Sequence, residues 1–190
     1  MTAPSRDAAH FERLYAANPD PWGFTTSAYE QEKYARSLAV LADRRYASAL
    51  EVGCSIGVLS RQVAPLCERF LGVDITDMPL DAARRRCGDL PQARFLRMAI
   101  PAEWPEASLD LVVLSEVLYF LDGPDISQVA TRLREHLQPG GRVLLVNWTG
   151  ALDDPNQGIA AADRCIAETG FSISLRQMGK GYRLDLLQRD

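Results

Sequence analysis

Residues 49–57 read ALEVGCSIG, and this stretch decides the fold. An apolar run ends at the acidic residue Glu51, Gly53 and Gly57 follow it, and a helical pattern begins after them. The next apolar run ends at Asp74. Because glycine lets the backbone approach a ligand closely, the pattern predicts a nucleoside lying across the ends of two adjacent parallel strands.

The spacing of the glycines argues against a dinucleotide. Dinucleotide folds use the pattern Gly-x-Gly-x-x-Gly to hold a pyrophosphate at a helix N-terminus. Aligned at Gly53, that pattern requires glycine at positions occupied by Ser55 and Val58. We therefore predict a nucleoside without phosphates, whose ribose hydroxyl pair is bound by Asp74. The alternative is that Asp74 only caps the following turn.

Composition is that of an ordinary globular domain. The chain has 190 residues, of which 47% are hydrophobic and 24% charged, enough for one domain with a sizeable core. We predict a single domain over 1–190, with an N-terminal cap segment and helix over 1–45 and a Rossmann-like core over 46–190. The net charge of −4 argues against a nucleic-acid partner, because phosphate binding requires a basic face.

The sequence also argues against a membrane span, a secretion signal and a metal centre. Its apolar runs fall short of the roughly 18 residues of a span, and Met1–Arg13 lacks the form of a signal peptide. The two histidines, His10 and His136, lie far apart, so we expect no metal. No two cysteines form a Cys-x-x-Cys pair, and we predict reduced thiols in a cytoplasmic protein.

Beyond the opening stretch, strands and helices alternate. This order predicts a doubly wound, seven-stranded, mostly parallel sheet with one antiparallel strand from a closing hairpin. Residues 1–28 are predicted to be irregular, and 139–141 (Pro-Gly-Gly) to end a helix. The predicted strands are 47–52, 69–73, 94–98, 109–114, 142–147, 171–178 and 182–188, and the predicted helices are 29–45, 58–66, 79–87, 125–137 and 156–169.

Four segments in order resemble the class I S-adenosylmethionine-dependent methyltransferases. They are EVGCSIG at 51–57, GVD at 72–74, DLVVLSEVL at 110–118 and LQPGG at 137–141. A closer resemblance, to the nodulation protein S type, is carried by DPWGF at 20–24, SAYE at 27–30 and SEVLYF at 115–120. Members of that type N-methylate the amino sugar at the end of a chitin oligosaccharide.

The resemblance implies S-adenosyl-L-methionine as the cofactor and assigns a role to each matching residue. Gly53, Ser55 and Gly57 would line its methionine part, with Glu51 supporting the loop or the amino group. Asp74 would bind the ribose, Ile75 would pack on adenine, and Lys33 would meet the carboxylate. The rest of the implied cofactor set is Trp22 and Tyr29, closing over the cofactor, with Cys54, Ala99, Ile100 and Ser115. For Trp22 the alternative is ordinary core packing.

Two positions depart from the family pattern. Ser55 stands where the loop usually has its middle glycine, which narrows the loop. Ala99 stands where many relatives carry an acid that binds the adenine amino group, so here we expect backbone or water to do so.

Candidate catalytic residues follow the buried fourth strand. Glu116 lies just past it on the ligand side of the sheet, and Tyr119 would share its face in a helical turn. We predict Glu116 as the base and Tyr119 as its neighbour, with Tyr15, Asn147 and Trp148 binding the acceptor. The alternatives are a structural or cofactor-contacting role for Glu116 and a core contact for Tyr119.

These residues predict methyl transfer to a small or sugar-like acceptor, most simply N-methylation of an amino sugar or oligosaccharide amine. One alternative is O-methylation of a small secondary metabolite. Another is a module that binds S-adenosylmethionine without catalysis. The expected partner is the acceptor itself, with no nucleic acid and no membrane, and the protein is expected to be a monomer or a homodimer.

Overall fold

The computed structural model describes residues 4–150 and 158–190. Its strands form a seven-stranded sheet, which confirms the predicted mostly parallel fold with one antiparallel strand. The strands are β1 Ala49–Val52, β2 Phe70–Asp74, β3 Ala93–Arg97, β4 Leu109–Ser115, β5 Leu137–Trp148, β6 Ser172–Met178 and β7 Tyr182–Gln188. The α-helices of the described residues are α1 Ala8–Ala17, α2 Ala28–Leu41, α3 Ser60–Val63, α4 Asp77–Arg86, α5 Gly123–His136 and α6 Gly158–Thr169.

Residues 7–99 form one compact unit. Its strands lie parallel in the order β3-β2-β1. Val52 is in register with Val73, and Asp74 with Arg97. The carboxyl ends of all three strands therefore meet at one edge, where a ligand of such a sheet binds.

Residues 100–190, with the first residues of the chain, form the other compact unit. Its strands follow the order β4-β5-β7-β6, and β7 runs antiparallel to both of its neighbours. The predicted closing hairpin is therefore confirmed. The start of the chain packs on this unit: Arg6 N donates to Phe120 O at 2.8 Å, and Asp122 N donates to Ser5 Oγ at 2.9 Å.

The prediction that residues 1–28 are irregular is wrong for α1. Asp7 caps this helix by accepting a hydrogen bond from His10 N at 2.9 Å. Inside it, Phe11 and Tyr15 stand four residues apart, as the apolar side of a helix requires. The turn-forming residues Asn18-Pro19-Asp20-Pro21 lie beyond the helix, which ends at Ala17, and therefore do not interrupt it.

The role predicted for residues 139–141 is also wrong. Helix α5 ends at His136, and Leu137 is already extended and begins β5. Gly140 N donates to Arg189 O at 2.7 Å, so the glycines pair with the end of the chain instead of closing a helix. The first two residues of the predicted helix 156–169 lie outside the described residues, and the rest forms α6.

Candidate active site

The loop after β1 is held tightly against the neighbouring strand. Gly53 N and Cys54 N both donate to Val73 O, at 2.8 and 3.0 Å. Gly57 adopts φ +76, a left-handed conformation that favours glycine. A Cβ atom at Gly57 would lie 2.9 Å from both Cα and Cβ of Ala83 on α4. The loop therefore depends on glycine at position 57 for its conformation and for the close approach of α4.

Asp74, at the end of β2, is directly connected to this loop. Its Oδ2 accepts a hydrogen bond from Ser55 N at 3.1 Å, and its Oδ1 accepts from Thr76 N and Thr76 Oγ1, each at 3.1 Å. The residue is only 7% exposed, and burial raises the pKa of its carboxyl, against the hydrogen bonds from Thr76 and Ser55.

The hydrogen-bonding capacity of Asp74 fits the ribose of a nucleoside cofactor. A carboxylate offers about four lone-pair sites, and the described contacts of Asp74 occupy three of them. The remaining capacity, next to a loop in which Gly53 is exposed and residues 54–57 are buried, suits one hydroxyl group. The residues present therefore fit the adenosyl group that the sequence predicts.

Ser55 links this loop to the N-terminal helix. Its hydroxyl lies 2.5 Å from the hydroxyl of Tyr15 on α1, and both residues are buried. Ser55 has φ +48, unusual for a residue other than glycine. Burial raises the pKa of Tyr15, so its phenol stays protonated and able to donate. The sequence predicts that Tyr15 binds the methyl acceptor. In the structure Tyr15 instead contacts the loop that is predicted to hold the methyl donor.

Glu51 lies beneath the loop as a buried carboxyl group. Ser60 Oγ donates to Glu51 Oε2 at 2.5 Å. Burial raises the pKa of Glu51 from its usual 4.5 to about 8, and the hydrogen bond from Ser60 opposes this shift. Glu51 is therefore held by Ser60 at the start of α3, and its supporting role for the loop or the cofactor stays a prediction.

The raised pKa of Glu51 predicts a pH-dependent stability. The folded state holds a proton that the unfolded state releases, so the stabilisation is full below pH 4.5 and is lost as pH rises through about 8. We expect the free energy of unfolding to fall between about pH 6 and about pH 8, by at most about 1.4 kcal/mol per pH unit for this group. Urea titrations of the wild type at both pH values would measure it.

The variant Glu51→Gln should show a smaller fall than the wild type, because its amide does not titrate. Asp74, whose pKa is also raised, would account for what remains. An unchanged pH dependence in Glu51→Gln would contradict the assignment to Glu51.

The aromatic N-terminal segment forms a turn followed by a row of rings. Asp20 accepts hydrogen bonds from Phe24 N at 2.8 Å and Thr25 N at 3.0 Å, which closes the turn. The Trp22 ring lies 5.7 Å from that of Tyr15 and 5.5 Å from that of Phe24. Trp22 remains 38% exposed, so core packing does not account for all of its surface. Such aromatic faces suit a sulfonium cation.

Lys33 is enclosed on α2 and is only 1% exposed. Its Nζ donates to Glu30 Oε1 at 2.9 Å and lies 4.9 Å from the centre of the Tyr29 ring. A buried ammonium needs a partner of this kind. The predicted contact of Lys33 with a cofactor carboxylate would therefore place that carboxylate in competition with Glu30.

The other predicted cofactor residues follow the strand ends. Ile75 is half-buried, and its carbonyl accepts from Arg97 Nε at 3.2 Å. Met98 N donates to Asp74 O at 2.9 Å, which places Ala99 one residue beyond that pairing. Ile100 and Ser115, which belong to the other unit, are half-buried.

The predicted catalytic pair occupies the end of β4. Glu116 adopts φ +57, in the left-handed region, and its N–H donates to Val146 O on β5 at 2.7 Å. Tyr119, in a short 3-10 turn, donates its hydroxyl to Glu116 Oε2 at 3.4 Å. Strained backbone of this kind concentrates at functional sites. The structure therefore brings the two predicted residues together and leaves both half-buried.

The predicted acceptor residues of β5 differ in exposure. Trp148 is half-buried, whereas Asn147 is fully buried at 0% exposure. Within the described parts of the chain, neither polar atom of the Asn147 side chain has a hydrogen-bond partner. Of these two residues, only Trp148 therefore has side-chain surface that a methyl acceptor could contact.

Sequence reasoning missed Ser60 and Thr76, which bond to the two buried carboxylates. Each follows its acid along the chain, Thr76 by two residues and Ser60 by nine, so only Thr76 could have been found, as a local turn partner. Among residues 4–150 and 158–190 no cluster of three or more potential metal ligands occurs. No helix of those residues is long and apolar enough to cross a bilayer.

The sheet order within each unit, the glycine loop and the carboxylate after β2 define the class I S-adenosylmethionine-dependent methyltransferase fold. A family model described as Nodulation protein S (NodS) matches residues 6–144 of this chain. The chain belongs to the nodulation protein S family, which confirms the resemblance noted in its sequence.

Two relatives illustrate the match. Nodulation protein S of Bradyrhizobium diazoefficiens is 40% identical over 103 residues, covering 54% of this chain and 49% of that protein. Nodulation protein S of Rhizobium tropici is 32% identical over 130 residues, covering 67% of this chain and 55% of that protein. The matched region thus spans about half the length of each relative.

Solved structures agree with the fold. A putative methyltransferase from Pseudomonas syringae is 29% identical with a TM-score of 0.76, covering 86% of this chain and 100% of that chain. The N-methyltransferase NodS from Bradyrhizobium japonicum WM9, in complex with S-adenosyl-L-homocysteine, is 21% identical with a TM-score of 0.79, covering 95% and 97%. At that identity the second match supports the fold alone.

Proposed function

We propose that this protein transfers a methyl group from S-adenosyl-L-methionine to the amine of a sugar-like acceptor. The observation that carries the proposal is the buried Asp74 carboxylate, bonded to Ser55 N of the glycine loop, in a member of the nodulation protein S family. The choice of an amine is supported by membership of the nodulation protein S family, because the family's Bradyrhizobium japonicum protein NodS is an N-methyltransferase.

The residues of 7–99 would hold the donor. Asp74 would accept a hydrogen bond from the ribose hydroxyl pair, and the backbone of Gly53–Gly57 would follow the methionine part. Tyr15 and Trp22 would present polar and aromatic surface next to that loop. When bound, S-adenosylmethionine supplies a methyl group activated by its sulfonium charge.

The remaining chemistry falls to the residues at the end of β4. An amine acceptor arrives largely as an ammonium and must lose a proton before it can attack. Glu116 is half-buried and accessible to take that proton, and the Tyr119 hydroxyl holds the carboxylate by a hydrogen bond. Positioning supplies most of the remaining rate enhancement in a displacement of this kind. Trp148 provides a flat apolar face for a sugar ring.

An acceptor screen tests this proposal. The purified protein is incubated with S-adenosylmethionine and with amino sugars, deacetylated chitin fragments and small phenols, and products are detected by mass. Methylated amino sugar or chitin fragment that keeps its basicity is the expected result. Methylated phenol alone would replace the proposal with O-methylation. Cofactor binding without any product would indicate a module that does not catalyse.

The variant Glu116→Gln tests the proposed base. We expect turnover near neutral pH to fall about 100-fold or more, the usual contribution of a general base. The loss should shrink as pH rises, because an amine that is already neutral no longer needs the carboxylate. Steady-state rates over a pH series would show both effects.

The matched control is Glu106→Gln, an exposed glutamate of the same unit, which should keep wild-type rates. Turnover of Glu116→Gln equal to that of the control at neutral pH would remove Glu116 as the base. A loss that is independent of pH would assign it a structural role instead.

A further inference from the structure

The turn that carries Tyr119 is fastened by a segment that lies far away in the sequence but in the same compact unit. The turn, Leu118–Phe120, is a single 3-10 turn of three residues. Isolated helical turns of this length are marginal in water, so the surrounding structure must hold them. Arg6 N donates to Phe120 O at 2.8 Å, and Ser5 forms a second attachment two residues further on. The position of Tyr119 therefore depends on this remote segment as well as on the turn itself.

Ser5 completes the cap at the start of α5. Asp122 is the N-cap residue, and its Oδ1 accepts a hydrogen bond from Asp125 N at 2.9 Å. In a capping box, a Glu or Gln side chain at the position of Asp125 accepts in return from the N–H of the cap residue. Aspartate is one methylene group shorter, and the Ser5 hydroxyl spans the difference. It accepts from Asp122 N at 2.9 Å and donates to Asp125 Oδ2.

The proposed base lies on the other side of this turn. Glu116 has a left-handed backbone conformation, which the surrounding structure must hold in place. Its N–H donates to Val146 O at 2.7 Å, while its carboxylate accepts from the Tyr119 hydroxyl at 3.4 Å. The backbone of Glu116 is thus fastened to β5, and one contact of its side chain runs through the Tyr119 turn. A displacement of that turn therefore moves a group that orients the carboxylate.

We propose that Ser5 is a positioning residue for the methyl transfer. Its hydroxyl closes the cap of α5 and thereby fixes the preceding turn. Through the Tyr119 hydroxyl, that turn sets the orientation of the Glu116 carboxylate. A misplacement of about 1 Å can cost about 100-fold in rate, so a hydrogen bond remote from the reacting atoms can control turnover. The inference rests on the proposed function, because it requires that Glu116 takes the proton from the acceptor.

A double-mutant cycle between Ser5 and Glu116 tests the proposal in the full chain, with a deacetylated chitin fragment as acceptor. Near neutral pH, Ser5→Ala should lower kcat about tenfold and leave KM and the affinity for S-adenosyl-L-homocysteine within about twofold. In the Glu116→Gln background the same substitution should change kcat by less than about twofold, because the base that Ser5 orients is gone. The loss in Ser5→Ala should also shrink as pH rises, as in Glu116→Gln. Ser5→Thr, which keeps the hydroxyl, should restore the rate.

The matched control is Ser127→Ala, on the same helix. The Ser127 hydroxyl also takes part in two hydrogen bonds, since it donates to Gly123 O at 3.1 Å and accepts from Arg164 Nη2 at 2.9 Å. The control should lose stability in urea as Ser5→Ala does, but it should keep the wild-type kcat. Amide hydrogen exchange in the Tyr119 turn should be faster in Ser5→Ala and unchanged in the control, which measures the loosening of the turn without turnover.

The outcomes separate this inference from the proposed function. Absence of amine methylation in the wild type would overturn the proposed function, and the inference with it. With an active wild type, an unchanged kcat or unchanged hydrogen exchange in Ser5→Ala would overturn the inference alone. An equal loss of kcat in Ser127→Ala, or an equal effect of Ser5→Ala in both backgrounds, would show a purely structural role and would also overturn it. A loss of kcat that disappears in the Glu116→Gln background supports the inference.

Discussion

The variant Asp74→Ala is expected to bind S-adenosylmethionine about 10- to 150-fold more weakly than the wild type. Three of the roughly four lone-pair sites of the carboxylate are already used within the protein, so it is proposed to accept one further hydrogen bond, from the ribose hydroxyl pair. A hydrogen bond to a charged group contributes about 1.5–3 kcal/mol, which corresponds to a factor of about 10 to 150 in the dissociation constant. Isothermal titration calorimetry with S-adenosyl-L-homocysteine would measure the loss directly.

The difficulty is that Asp74 also holds its own loop, through Ser55 N and Thr76. Thr76→Val removes one of these internal hydrogen bonds and leaves the carboxylate in place. We expect Thr76→Val to bind the ligand within a few-fold of the wild type. Equal weakening in both variants would show that Asp74 acts through loop structure, and unaltered binding in Asp74→Ala would end its assignment to the ribose.

The variant Gly57→Ala is expected to lose about 2–5 kcal/mol of folding free energy, together with ligand binding. Two costs combine at this position. An L-residue in the left-handed region costs about 1–2 kcal/mol, and overpacking costs about 1–3 kcal/mol. The second arises because the new methyl group would lie 2.9 Å from Ala83 Cα and Cβ, so α4 has to move away from the loop. Urea unfolding and calorimetry would measure the two losses.

A second glycine separates these costs. Gly170 has φ +69, and a methyl group added at its Cα would meet no atom of the described residues within 4 Å, so Gly170→Ala incurs only the conformational cost. We expect it to lose about 1–2 kcal/mol and to bind the ligand normally. Equal destabilisation in the two variants would show that the contact with Ala83 is of no consequence.

The core of the fold was predictable because it depends on local patterns. β4, with its nearly unbroken apolar run, and the hairpin strands β6 and β7 fall within one or two residues of their predicted bounds. Helix α1 was not predicted, since four aromatic residues and strong turn chemistry nearby obscured a short amphipathic period. The start of β5 was also missed, because glycines that pair with Arg189 are indistinguishable in sequence from a helix stop.

The candidate site also has a part that could be predicted from the sequence and a part that could not. The glycine loop and Asp74 are adjacent to strand ends that can be read from the sequence, so their proximity followed from the parallel order of β1 and β2. The contact between Tyr15 and Ser55 joins residues 40 positions apart and could not be read from either neighbourhood. Nor does the sequence show that the Lys33 ammonium would pair with the Glu30 carboxylate, or that Asn147 would be fully buried.

The division of the chain into two compact units has a consequence for how such a protein diversifies. Most residues proposed for the donor belong to 7–99, whereas Glu116, Tyr119 and Trp148 belong to the unit that begins at residue 100. On the proposed assignment, inherited changes in the second part of the coding sequence would alter which compound is modified, while most of the residues that hold the methyl donor would be inherited unchanged.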